Sequence, residues 1–222
     1  MNEASADTNN DSAPDRTWSP LNPAQRRVFG VLIEKAKTTP DAYPLTLNAT
    51  TTGCNQKSNR APQTDYETDD VQETLDSLRQ LGAVVEVQGD GRAAKFRHRA
   101  YDWLSVDKTE AAVLAELLLR GPQTLGELRS RAARMEAIVD LNALRPIVDA
   151  LLSKQLMVEL SPPGRGQVVT HGLYGEEEMA RLQKDAPQST TTPTRSQTTT
   201  NSTSERITSL EAELSTLRDR VE

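Results

Sequence analysis

The chain predicts a mainly α fold with small β-hairpins (α+β): two tandem winged helix-turn-helix domains and a C-terminal coiled-coil helix. Three observations carry that prediction. Residues 21–101 and 102–175 each read as three helices followed by a hairpin, the order of a winged helix-turn-helix. A shift of 73 positions lays Val71, Leu75, Leu78, Val84, Val85, Glu86 and Val87 on Leu144, Val148, Leu151, Met157, Val158, Glu159 and Leu160, the mark of an internal duplication. Near the end, Ile207, Leu210, Leu214, Leu217 and Val221 alternate spacings of 3 and 4, an a/d seam.

In chain order, residues 1–20 are acidic and polar, with almost nothing to bury, and are expected to be disordered. Asn22 as N-cap and Pro23 at the first helical position start a helix that runs to about Thr38. Its stripe of Val28, Val31, Leu32 and Ala36, widened by Phe29 and Ile33, predicts burial on more than one side. Pro40 and Pro44 bracket its exit. Leu45–Asn55 reads as a second helix, weakened by Thr50, Thr51, Thr52 and Gly53, and residues 56–67 as a polar loop. Thr68 caps a third helix to about Leu81, with Val71, Leu75 and Leu78 inward and Gly82 closing it. Val84–Val87, a turn over Gln88–Arg92, and Ala94–Tyr101 form the first hairpin.

The second unit opens on a capping box, Asp107 with Glu110, and a helix carrying Val113, Leu114, Leu117 and Leu118 that stops at Gly121-Pro122. Helices over Thr124–Met135 and Leu141–Lys154 follow, then strands Met157–Leu160 and Gln167–Leu173 around the Pro162–Gly166 turn. Trp103, at the junction, is expected to pack between the units. Residues 176–185 form a short helix and 186–204 a Ser/Thr-rich linker unable to build a core. Residues 205–222 form the coiled-coil helix, too short to stand alone, which makes a homo-oligomer the expectation.

Two stretches carry a family resemblance: Tyr43-Pro44 with Cys54-Asn55-Gln56-Lys57-Ser58-Asn59-Arg60, and Leu118-Leu119-Arg120-Gly121 with the run from Gly126 to Met135. Through them, residues from about Leu21 to Glu178 resemble the YceH-like family of bacterial tandem winged-helix proteins. The resemblance implies the fold. It brings no catalytic residues, because the family has no settled activity.

The net charge of −6 is uneven: −3 in residues 1–20, +1 in 21–101, −1 in 102–174 and −3 in 175–222. The neutral middle leaves nucleic-acid binding to local clusters. Asn55, Gln56, Lys57, Asn59 and Arg60 are the residue types that read base edges or hold phosphate, although local capping and turn bonds use the same amides. Strand alternation puts Lys95, Arg97 and Arg99 on one face beside Arg92, and Phe96, His98 and Ala100 on the other. That basic stripe either lies along a phosphate backbone or is a solvated face. Arg129, Arg131 and Arg134 contact phosphate or bridge to acids such as Glu127 and Asp149 between the units.

Asp69, Glu73 and Asp76 on the third helix, the groove-entering position, count against simple DNA reading. With two histidines and one cysteine there is no material for a zinc site or a Cys/His pair, so no metal, no cofactor and no enzymatic activity are expected. Cys54 reads as a buried structural thiol. Gly89-Asp90-Gly91-Arg92-Ala93-Ala94 matches GxGxxA, but a strand pattern follows where a dinucleotide site needs a helix. No apolar run approaches membrane-spanning length and no signal core opens the chain, so a cytoplasmic protein is expected. The lead expectation is a DNA-binding regulator. The alternative is a protein–protein interaction scaffold resembling, in architecture, the tandem winged-helix accessory proteins of bacterial condensin.

Overall fold

The computed structural model describes residues 18–88 and 93–185. The expected seam from Ile207 to Val221, the linker before it, the N-terminal tail to residue 17 and Arg92 lie outside the described residues. The rest is a mixed α/β arrangement of helices and two small antiparallel sheets, built twice in the same order. The first half runs α1 (Pro23–Thr38), β1 (Leu45–Thr46), α2 (Leu47–Cys54), α3 (Thr68–Gln80), β2 (Val84–Gln88) and β3 (Ala94–His98). A short α4 (Ala100–Trp103) leads to α5 (Lys108–Arg120), β4 (Gln123–Thr124), α6 (Leu125–Ala132), α7 (Leu141–Ser153), β5 (Met157–Glu159) and β6 (Val168–His171). The last described element is α8 (Glu176–Asp185).

Capping chemistry sets most of the boundaries. Asn22 and Gln25 close a reciprocal box on α1, at 2.9 and 2.8 Å, and Asp107 with Glu110 does so on α5. Thr46 and Thr124, at corresponding places, cap α2 and α6. The cap of α3 is Glu67, whose N–H donates to the Asp70 carboxylate, and not Thr68, which is already helical. Each expected hairpin is the main part of a three-stranded sheet, ordered β1-β3-β2 and β4-β6-β5. The added strands β1 and β4 are two residues each, too short to show a period in the sequence. For the same reason the second helix starts at Leu47 rather than Leu45. β3 ends at His98 because Arg99 turns its N–H onto Ala83 O and starts α4.

The duplication is visible in the core. Val71, Leu75, Leu78 and Val84 are buried, and so are Leu144, Val148, Leu151 and Met157. The shift of 73 also relates features that hydrophobic patterning does not reveal. Gly82 and Gln155 both take positive φ, 77° and 57°, after the third helices. His98 and His171 both accept, at Nδ1, the N–H two residues onward, at 3.2 Å in each case.

The two halves meet along α1 and α5. Residues Arg26–Glu34 of α1 and Glu110–Leu119 of α5 are buried throughout, so both are central helices rather than amphipathic surface ones. Their close approach needs Gly30: a Cβ there would stand 3.1 Å from Leu118 Cβ and from Leu119. Trp103 sits edge-on to Phe29 of α1, ring centroids 5.4 Å apart, and so packs at the junction. No helix of the described residues is long and apolar enough to cross a membrane.

Candidate functional site: a buried charge network between the halves

The two halves differ most between their second and third helices. Residues 55–67 form a longer connection than their counterparts 133–140, and the longer connection reaches the other half. Ala61 N–H donates to Leu119 O at 3.0 Å, and Asn59 Oδ1 accepts from Arg120 Nη2 at 2.5 Å. Arg60 turns inward. Its guanidinium donates to both carboxylate oxygens of Glu34, to Gly53 O and to Asn59 O.

Glu34 and Glu116, one from each central helix, have fully buried side chains. Arg134 joins them, donating to Glu34 at 2.5 Å and to Glu116 at 3.0 Å. Arg120 completes the circuit, its Nε 2.8 Å from Glu116 though poorly aligned as a hydrogen bond. The chain of contacts Glu34–Arg134–Glu116–Arg120–Asn59 closes through the backbone to Arg60 and back to Glu34. Burial alone would raise the Glu34 carboxyl, but the bonds and charges of Arg60 and Arg134 outweigh it and hold it below its ordinary value. A network this well supplied with partners fixes how α1 sits on α5.

Arg60 is therefore a core residue and not a surface cation, and Asn59 is engaged with Arg120. Asn55 caps α2 and spends both ends of its amide on the loop: Nδ2 donates to Tyr66 O at 2.8 Å and Oδ1 accepts from Tyr66 N–H at 2.9 Å. Gln56 bridges Lys35 and Ser58. Of that group only Lys57 is left exposed with its cation unpaired among the described residues. These polar residues satisfy one another because the loop must bury its backbone against the second half.

The alternation of β3 holds: Phe96 and His98 are buried, Arg97 is exposed and Lys95 half-buried. Register puts Arg97 opposite Val85, and Lys95 opposite Val87 and Thr46. Arg99 lies just past the strand, 3.5 Å from Asp102. His98 is pushed down to about 4 by burial and by the nearby charges of Lys37 and Arg97, so it is uncharged. Of the three clustered arginines, Arg129 and Arg131 lie on α6 and Arg134 just past its end; Arg131 holds Gln123 and Glu127, Arg129 reaches Val139 O, and only Arg134 bridges the halves. Its acids are Glu34 and Glu116 rather than Glu127 and Asp149. Burial pushes the Cys54 thiol up to about 12, which leaves it inert at neutral pH. The last residue of the GxGxxA match, Ala94, opens β3, a strand and not a helix. Among the described residues, no group of three or more His, Cys, Asp or Glu side chains is placed to hold a metal ion.

Pattern reading missed Glu34 and Glu116. The signal was present for the second: Glu116 is a lone acid inside the apolar run from Ala111 to Leu119, and an acid in a helix buried on all sides needs a cation.

Fold and network together define a protein of helices and small antiparallel sheets whose two similar halves are fused through one buried ion-pair circuit. A family model described as "Protein of unknown function, DUF480" matches residues 21–165, and the chain belongs to that family. Similar proteins include a UPF0502 protein of Rhodopirellula baltica, 52% identical over 82% of this chain and 75% of the relative. Another, from Geobacter sulfurreducens, is 42% identical over 89% of this chain and 90% of the relative. A third, from Paracidovorax citrulli, is 42% identical over 78% of each. Membership agrees with the YceH-like resemblance drawn from Cys54–Arg60 and Gly126–Met135.

Proposed function

We propose that the chain is a non-enzymatic tandem winged-helix protein that serves as a protein-interaction scaffold. Three helices and a three-stranded antiparallel sheet, with a short strand after the first helix and a hairpin after the third, occur twice and support the winged-helix reading. One observation carries the scaffold reading: the outer face of α3, where a groove-reading helix meets DNA, exposes Asp69, Asp70 and Glu73. Carboxylates there repel phosphate. The matching region of the second half is mixed instead: Val139 and Leu141 are 80% and 48% exposed, among exposed Asp140, Asn142, Asp149 and Pro146, with Arg145 as its cation. The C-terminal seam from Ile207 to Val221 would add self-association.

The test is a fluorescence titration of the full chain against random duplex at about 50 and 200 mM salt, with capture of partners after nuclease treatment. The expected result is no duplex binding at micromolar protein, and a stoichiometric partner lost on Leu141→Asp while the circular dichroism is unchanged. Salt-sensitive micromolar binding to duplex overturns the scaffold in favour of the second reading, a DNA-binding regulator.

What favours that second reading is the stripe of Lys95 and Arg97, which have no acid within ion-pair distance among the described residues. On it, Lys95→Ala with Arg97→Ala lowers the slope of log affinity against log salt by about 1.8, two phosphates' worth. Stability should move by less than about 0.5 kcal/mol, because neither cation is buried.

A further inference from the structure

A cleft of about 310 Å³ lies where the start of α1, the 61–64 segment, the end of α5 and the Tyr174–Leu182 stretch converge. Its volume is at the lower end of the roughly 300–1,000 Å³ typical of small-ligand sites. Three arginines line it: Arg26, Arg27 and Arg120. Two of them have their counter-charge. Arg26 is held by Glu178 in a two-point contact of 2.6 and 2.9 Å, and Arg120 by Glu116 and Asn59.

Arg27 has none. It is 3% exposed, and its guanidinium donates to two main-chain carbonyls, Cys54 O at 3.3 Å and Pro62 O at 2.5 Å. No carboxylate stands within ion-pair distance of it among the described residues. A guanidinium has five N–H donors, and a buried cation without an anion is costly. The same wall holds His171, 1% exposed and kept uncharged by burial; because its Nδ1 accepts from Leu173 N–H, the proton sits on Nε2 as a donor. The cleft therefore offers donors and excess positive charge. One carboxylate, that of Glu178, already occupies the Arg26 side.

We propose that this cleft binds a small oxyanion, a carboxylate- or phosphate-bearing molecule, with Arg27 as the group that holds it. Both halves and α8 supply its walls, so an occupant braces the α1–α5 junction beside the buried circuit, with which the cleft shares Arg120. The site does not depend on the scaffold reading, which tests of duplex and partner binding decide separately.

Thermal unfolding and isothermal titration of the full chain, with inorganic phosphate and separately with citrate, test it against chloride at equal ionic strength. One of the two anions should raise the melting temperature with concentration by about 10 mM, and which one does identifies the head group. Glu178→Gln should tighten binding by removing a competing carboxylate, and Arg27→Gln should weaken it by at least about tenfold. The proposal falls if neither anion binds the unaltered chain. It falls equally if Glu178→Gln leaves affinity unchanged, a result that stands even where Arg27→Gln does not fold. Retained binding by a folded Arg27→Gln chain overturns it too.

Discussion

Glu34→Ala should cost about 3–5 kcal/mol, measured as a fall in urea midpoint at unchanged m-value. The carboxylate is fully buried and answers Arg60 and Arg134 at once, with Lys35 3.6 Å away. Removing it strands one wholly buried guanidinium, that of Arg60, beside a second that is 28% exposed. Arg134→Ala should cost less, because its side chain reaches water and Glu34 keeps Arg60. The two losses should not add, since both variants open the same circuit.

The same residue sets an acid dependence. Its folded pKa lies below the ordinary 4.5. A depressed carboxyl contributes stability that is present above its unfolded pKa and lost as pH falls through the folded one. The unaltered chain should therefore lose stability more steeply below about pH 4.5 than Glu34→Gln, whose amide does not titrate in that range. Parallel curves through the acid limb would contradict the role given to Glu34.

Gly172→Ala should be the other severe change, at about 3 kcal/mol or more. A Cβ at Gly172 would lie 2.1 Å from Gln155 O and 3.1 Å from its carbonyl carbon. The obstacle is backbone on a positive-φ turn, so no side-chain rotation relieves it. Gly172 also donates its N–H to Leu156 O at 2.7 Å, a bond that any retreat would stretch. Gly126→Ala is the control: a Cβ there meets nothing within 4 Å, and the residue lies inside α6. That change should stabilise the chain by up to about 1 kcal/mol. Thermal or urea unfolding of both variants with one protein standard separates close packing from a general intolerance of added methyl groups.

Legibility followed the range of the interaction. Asn22-Pro23, Asp107 with Glu110 and the alternation at Phe96 and His98 depend on neighbours a few residues away, and these were readable. So was the repeat, because Val71 and Leu144 take the same place in the same local pattern. The strands β1 and β4 were not, since two residues carry no period. The candidate site was half legible. Residues 55–60 stood out by composition, but composition does not say that Arg60 turns inward to Glu34, 26 positions earlier. Nor does it say that Asn59 finds Arg120, 61 positions later.

By itself the sequence determined the order of the main helices and hairpins, the duplication and the family, because hydrophobic period, caps and turn residues are local and survive without neighbours. Only the tertiary structure decided which charges are surface and which are core. An arginine in a polar loop reads the same whether it faces water or a buried acid; here the loop of residues 55–67 lies against α5, and burial obliges its amides and cations to pair inside the protein. That turned a stretch suited to reading bases into the clasp between the two halves, and it left Arg27 buried with no carboxylate within ion-pair distance among the described residues.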